Sequence, residues 1–130
     1  LPKELNGVHV HFVGIKGTGM TALVEIFFHN GAIITGSDVS ERFYTDEILE
    51  KLGLKAQEFS SKNITDDIQY VIYSAAYKLD SNPDLIQATK KESLVFCTHK
   101  PLVNIANVLI RAEFVAFTEK QVQQVLQEQC

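Results

Sequence analysis

Short apolar runs recur along the chain, each followed by a polar or glycine-bearing break and then by apolar positions three or four apart. The first run, VHVHFV at 8–13, reads as a buried strand. It meets three glycines, Gly14, Gly17 and Gly19. The stretch Thr21-Ala22-Leu23-Val24-Glu25-Ile26-Phe27-Phe28 then predicts a helix that stops at Asn30-Gly31. A second strand at 32–35 ends in Gly36-Ser37-Asp38. A helix over 45–52 opens with acidic residues, which complement its dipole, and closes at Gly53. A weak strand at 55–59, a turn at 60–63 and a buried strand at 70–73 follow, the last ending in Ser74-Ala75-Ala76. Asn82-Pro83-Asp84 starts a helix over about 83–91, with Asn as cap and Pro in the first turn. A strand at 94–97, a helix from Pro101 to about Ile110, a strand-like run at 114–117 and a Gln-rich helical tail at 121–129 complete the pattern.

Strands of this kind alternating with helices predict an α/β fold, a Rossmann-like parallel sheet with helices on both faces. Ligands of such sheets sit at the carboxyl ends of the strands. Three strand ends carry polar or glycine-rich tips: 14–19, 36–38 and 74–76. The first is a phosphate-binding corner in the making. Backbone N–H groups at a helix start lack internal partners and carry partial positive charge, and glycine lets a ligand reach them. Asp38 ends the second strand, where nucleotide-binding folds place an acid that meets a ribose or base; it also suits a turn or a helix cap.

Composition adds bounds. The 130 residues are enough for one domain with a core. A net charge of −4 argues against a nucleic-acid partner or an anionic membrane surface. No apolar run approaches the ~20 residues of a membrane span. The opening Leu-Pro-Lys-Glu has no signal-peptide pattern, and a first residue other than Met suggests a fragment or a processed chain. Cys97 and Cys130 lack metal-ligand spacing. Cys97 reads as a buried thiol and Cys130 as a free one, which fits a cytoplasmic, reducing compartment.

Candidate side chains divide between chemistry and packing. Lys16, inside the glycine corner, is either a point charge for a phosphate or a solvated lysine. Arg42 is a candidate phosphate clamp, and Phe43 and Tyr44 either stack on a base or pack. His9 and His11 alternate along the first strand and so share a face; with no third ligand apparent, packing or hydrogen bonding is the better reading. No metal site and no catalytic set of Ser-His-Asp or Cys-His type emerges.

Two nucleotide frames fit the corner. Gly17 to Ala22 reads as G-x-G-x-x-A, the dinucleotide fingerprint, so an NAD-binding module of a dehydrogenase or sensor is one alternative, although Asp38 then comes early. In the other frame VGIKGTGMTAL, followed by GSDV, resembles the start of a Mur ligase, and Lys16 is similar to the alanine-adding branch of that family. The resemblance covers about residues 8–97 and includes Phe43-Tyr44-Thr45, Ser74-Ala75-Ala76 and Asn82-Pro83-Asp84. It implies a domain that binds the UDP part of UDP-N-acetylmuramate for peptidoglycan synthesis. The implied site comprises Gly14, Lys16, Gly17, Thr18, Gly19, Met20, Thr21, Ser37, Asp38, Arg42, Ser74, Ala75 and Ala76. It also implies that ATP and Mg serve the full-length enzyme on a later G-T-H-G-K-T loop. This chain has no glycine after Gly53, and Thr118-Glu119-Lys120 stands where that loop would begin. We therefore expect a UDP-sugar domain over 1–112 and, at 113–130, a tail that starts or replaces the ATP-binding domain. These residues would hold no cofactor and perform no ligation alone, and their partners would be the nucleotide sugar and the remaining ligase domains.

Overall fold

The computed structural model describes residues 5–97. Strands β1 (His9–Val13), β2 (Ile33–Ser37), β3 (Tyr70–Tyr73) and β4 (Leu94–Cys97) form one all-parallel sheet in the order β2-β1-β3-β4. Helix α1 (Thr18–His29) joins β1 to β2, α2 (Thr45–Lys51) lies between β2 and β3, and α3 (Pro83–Lys90) joins β3 to β4. The chain leaves β1 for one neighbour, β2, and later returns to the other, β3. The switch point of the sheet is thus the gap between β1 and β3, where parallel sheets bind ligands.

The pleat sorts the strands' residues onto two faces. Val10, Phe12, Ile34, Tyr70, Ile72 and Phe96 join Leu23, Val24 and Phe27 of α1 and Leu49 of α2 in the larger core. Phe12 and Phe27 meet edge to face, with ring centroids 5.8 Å apart. On the opposite face Val13 and Val71 pack against Leu85 and Ala88 of α3, with Ile64 and Ile68. Helices therefore cover both faces, as the alternating pattern requires. Asn82 caps α3: its side-chain oxygen accepts from the N–H groups of Asp84 and Leu85.

Three local expectations change. First, α1 begins at Thr18, not Thr21, so Gly17 is its cap residue and Gly19 lies in its first turn. Second, the strand expected at 55–59 is a single parallel bridge, Gln57 to Ser37, tied by Gln57 N–H to Gly36 O and Asp38 N–H to Gln57 O. The alternation there is too weak to hold a ladder, and one bridge suffices to cover the end of edge strand β2. Third, Cys97 is disulfide-bonded rather than a thiol, so it gives no ground for a reducing compartment. Which sulfur lies within reach is a property of the fold that a local apolar run does not display. The elements expected at 101–110, 114–117 and 121–129, and the boundary near 112, fall outside the described residues.

The face under α3 is not wholly apolar. His9 and His11 do share it, and both rings meet the Thr35 hydroxyl, at 2.9 and 2.8 Å. The other ring nitrogen of His9 is 2.8 Å from Asp67, and that of His11 is 2.9 Å from Asp84. Asp84 sits in the first turn of α3 with its side chain fully buried. It also accepts from the Ser60 N–H at 2.7 Å and the Asn63 amide at 3.0 Å. Burial pushes the Asp84 carboxyl up, but hydrogen bonds from His11, Asn63, Ser37 and Ser60 outweigh it and hold the group below the usual carboxylate range. Hydrogen bonds from Thr65, chiefly, and from His9 hold Asp67 at about 2. Among the described residues no group of three or more metal-ligating side chains forms; both histidines are occupied in this network.

Two outcomes follow from this packing. A Cβ on Gly36 would lie 2.3 Å from Ile15 Cδ1 and 2.8 Å from Ile15 Cβ, and the second atom cannot swing away. Gly36→Ala should therefore destabilise the fold by roughly 1–3 kcal/mol in urea unfolding, the usual cost of overpacking. Asp84 has a depressed folded-state pKa, so its stabilisation is complete above the unfolded carboxylate range and fades as pH falls through the folded value. Unfolding free energy should decline below about pH 4, with a shallower acid limb in Asp84→Asn. Equal acid slopes in the two proteins would contradict this assignment.

Candidate functional site

Three loops meet at the carboxyl ends of β1, β2 and β3. The turn after β1 begins at Gly14, with φ +85°, a left-handed conformation that favours glycine. A Cβ there would also strike the Tyr77 ring at 2.9 Å and Ser74 Cβ at 3.0 Å. Gly14 N–H and Ile15 N–H both donate to Ser37 O, at 2.8 and 3.2 Å, which draws this turn onto the end of β2. Gly17 differs. Its φ of −60° suits any residue, it is exposed, and a Cβ would find only ordinary contacts at 3.4 and 3.5 Å. Neither strain nor packing within the protein calls for glycine at 17.

Gly17 lies at the start of α1, which has no side-chain cap and no acid in its first turn. The first N–H groups of the helix, with their partial positive charge, face outward at the switch point. They border a cleft of about 300 Å³ lined by Gly14, Lys16, Gly17, Thr18, Asp38, Val39, Phe43, Tyr44, Thr45, Ser74, Ala76 and Tyr77. α3 shows the contrast: its start is closed by Asn82.

Asp38 is 6% exposed, and its carboxylate faces protein donors on all three loops. It accepts from Lys16 N–H at 2.8 Å, Val39 N–H at 2.7 Å and the Tyr77 hydroxyl at 3.2 Å. Burial, together with the neighbouring Asp38 charge, pushes the Tyr77 phenol up, so it stays a donor.

Lys16 is buried rather than solvated, and its ammonium is held by residues 41–46. It donates to Glu41 O at 2.8 Å, lies 3.3 Å from Asp46 and sits 5.8 Å from the centre of the Phe43 ring. Thr45 donates to Lys16 O at 2.6 Å, and Asp46 accepts from Phe43 N–H at 2.8 Å. Residues 39–45 thus form a strap fastened to the glycine turn. At its tip Tyr44 is 65% exposed, and its hydroxyl shares a 2.8 Å hydrogen bond with Thr18, the first residue of α1.

The structure thus brings together ten of the residues singled out from sequence: Gly14, Lys16, Gly17, Thr18, Asp38, Ser74 and Ala76 of the implied site, with Phe43, Tyr44 and Thr45. Gly19 is exposed in the first turn of α1. Met20 and Thr21 are buried, Met20 within the larger core. Ser37 is fully buried, 3.5 Å from His11. Arg42 forks onto Glu50, at 2.7 and 3.3 Å, on an adjoining cleft of about 590 Å³. Ala75 points to a third cleft beside Tyr73 and Lys78. Sequence reasoning missed Tyr77 and Val39. Val39 ends the GSDV stretch without being a polar candidate, and no motif marks Tyr77; both donate to Asp38 and line the cleft.

Comparison of the sequence with known proteins gives the family. The profile described as "Mur ligase family, catalytic domain" matches residues 9–108. The UDP-N-acetylmuramate–L-alanine ligase of Treponema pallidum (strain Nichols) is 46% identical over 92 residues, 70% of this chain and 19% of that protein. The protein of the same name from Desulfitobacterium hafniense is 52% identical over 71 residues, 54% of this chain and 16% of that one. That from Streptococcus thermophilus (strain CNRZ 1066) is 39% identical over 80 residues, 62% of this chain and 18% of that one. The chain therefore spans about a fifth of the length of the curated relatives it matches.

Proposed function

The chain belongs to the Mur ligase family, and from that premise we propose that it is the UDP-sugar-binding domain of a UDP-N-acetylmuramate–L-alanine ligase. The whole enzyme would join L-alanine to the nucleotide sugar in peptidoglycan synthesis. The observation that carries this reading is the uncapped start of α1, open to the cleft at the switch point beside an exposed Gly17 that packing does not demand. A diphosphate there would accept from the N–H groups of Thr18, Gly19 and Met20, with glycine at 17 letting it approach the backbone. Ser74 and Ala76 would flank the nucleoside from the loop after β3. The named relatives are ligases, which favours a nucleotide sugar over a nicotinamide dinucleotide.

In this reading the domain recognises substrate and leaves phosphoryl transfer to the remaining ligase domains, where ATP and Mg would bind. Phosphoryl transfer needs amides, a lysine and a magnesium-binding hydroxyl gathered on a glycine-rich turn. No glycine follows Gly53 in these 130 residues, so they do not fit that loop.

Binding is tested by thermal unfolding and calorimetry. UDP-N-acetylmuramate at 100 times its Kd should stabilise the chain by about 2.7 kcal/mol, while NAD should not. Stabilisation by NAD and not by the nucleotide sugar would overturn the reading. Gly17→Ala should keep the melting temperature near wild type and weaken the nucleotide sugar by about tenfold or more, the scale of one lost charged hydrogen bond.

The pure chain should also release no phosphate from ATP, with L-alanine and saturating nucleotide sugar present. Release stimulated by L-alanine would place an ATP site within these residues.

A further inference from the structure

Tyr44 presents a chemical group that the packing of the protein does not use. Its ring is 65% exposed, and its hydroxyl reaches the first residue of α1 through Thr18, 2.8 Å away. The hydroxyl therefore sits beside the outward-facing amides of the helix start, on the rim of the cleft. The strap that carries it is not loose. Lys16 fastens it through Glu41 O and Asp46, Thr45 fastens it through Lys16 O, and Phe43 N–H is fixed by Asp46. The base of the strap is buried and charge-paired, while its tip is a phenol exchanging one exposed hydrogen bond. Burial pushes the Asp46 carboxyl up, but the bonds from Phe43 and Lys16 prevail and keep it ionised, so the fastening persists at neutral pH.

We propose that Tyr44 is a phosphate-binding residue of this site and that Lys16 acts on the ligand only through the strap. Without ligand the phenol bonds Thr18; with the diphosphate at the start of α1, it donates to a phosphate oxygen. Lys16, which looks from sequence like the phosphate's counter-charge, is a positioning residue: its ammonium is already held by Glu41 O and Asp46 on the strap. The proposal rests on the UDP-sugar reading of the cleft, and it separates two roles that a lysine in a glycine turn invites one to merge.

The test compares UDP, by calorimetry, with uridine, by NMR titration, on the 130-residue chain. Tyr44→Phe keeps the ring and removes only the hydroxyl. It should weaken UDP by about tenfold and leave uridine unchanged. Lys16→Met should weaken UDP and leave uridine unchanged, because it displaces the strap that holds Tyr44, and it should cost nothing further in the Tyr44→Phe background, whereas a direct phosphate contact would weaken UDP again there. Tyr44→Phe binding UDP as tightly as wild type would overturn the proposal, as would a further UDP loss when Lys16→Met is added to Tyr44→Phe. If Lys16→Met does not fold, Tyr44→Phe decides by itself. Wild-type chain that binds no UDP would defeat the reading of the cleft, and the proposal with it, a result distinct from an unaffected Tyr44→Phe.

Discussion

The carboxylate of Asp38 is the tie on which the upper end of the sheet depends. Parallel strands present their carboxyl ends side by side, yet each then runs into a separate loop with its own freedom. Asp38 takes a donor from each of the three: Lys16 N–H after β1, Val39 N–H after β2 and the Tyr77 hydroxyl after β3. A charged acceptor makes stronger hydrogen bonds than a neutral one, and a buried one is costly to leave unpaired. The three loops are therefore set in one arrangement before any ligand arrives, which limits the ordering cost of binding.

The same tie explains the division of labour among the glycines. Gly14 and Gly36 let the turn after β1 lie flat on β2 and against Tyr77, so they serve packing. Gly17 serves no such need. Glycines in one short motif thus answer to different constraints: Gly14 is required by backbone conformation and packing, whereas Gly17 borders the cleft with neither demand upon it.

The sheet, its helices and the switch point were legible in the sequence because they rest on local periodicity: the run from Val8 to Val13, the helix ending at Asn30-Gly31 and the cap at Asn82-Pro83 are all nearest-neighbour signals. The corner was legible for the same reason. What escaped was long-range. Lys16 finds its partners on residues 41 and 46, Arg42 pairs with Glu50 eight positions on, and Tyr77 reaches Asp38 across 39 positions. The start of α1 was set three residues late because glycines were read as loop, whereas in the fold Gly19 is helical. The bond at Cys97 is likewise a matter of what the fold brings near.

The row of groups beneath α3 has a consequence in the counting of hydrogens. Asp67, His9, Thr35, His11 and Asp84 are joined by four contacts, and each requires one hydrogen between its two heavy atoms. The threonine hydroxyl supplies one and two neutral imidazoles supply two, so the row is one hydrogen short. The Thr35 hydroxyl has one hydrogen and two imidazole neighbours, so it donates to one ring and accepts from the other, and its orientation fixes which nitrogen of each ring must carry hydrogen. One end of the row is the solvent-facing Asp67 and the other is the buried Asp84 in the first turn of α3. The direction of a single O–H bond in the middle of β2 is thereby shared by a carboxylate at the protein's surface and one at the root of a helix.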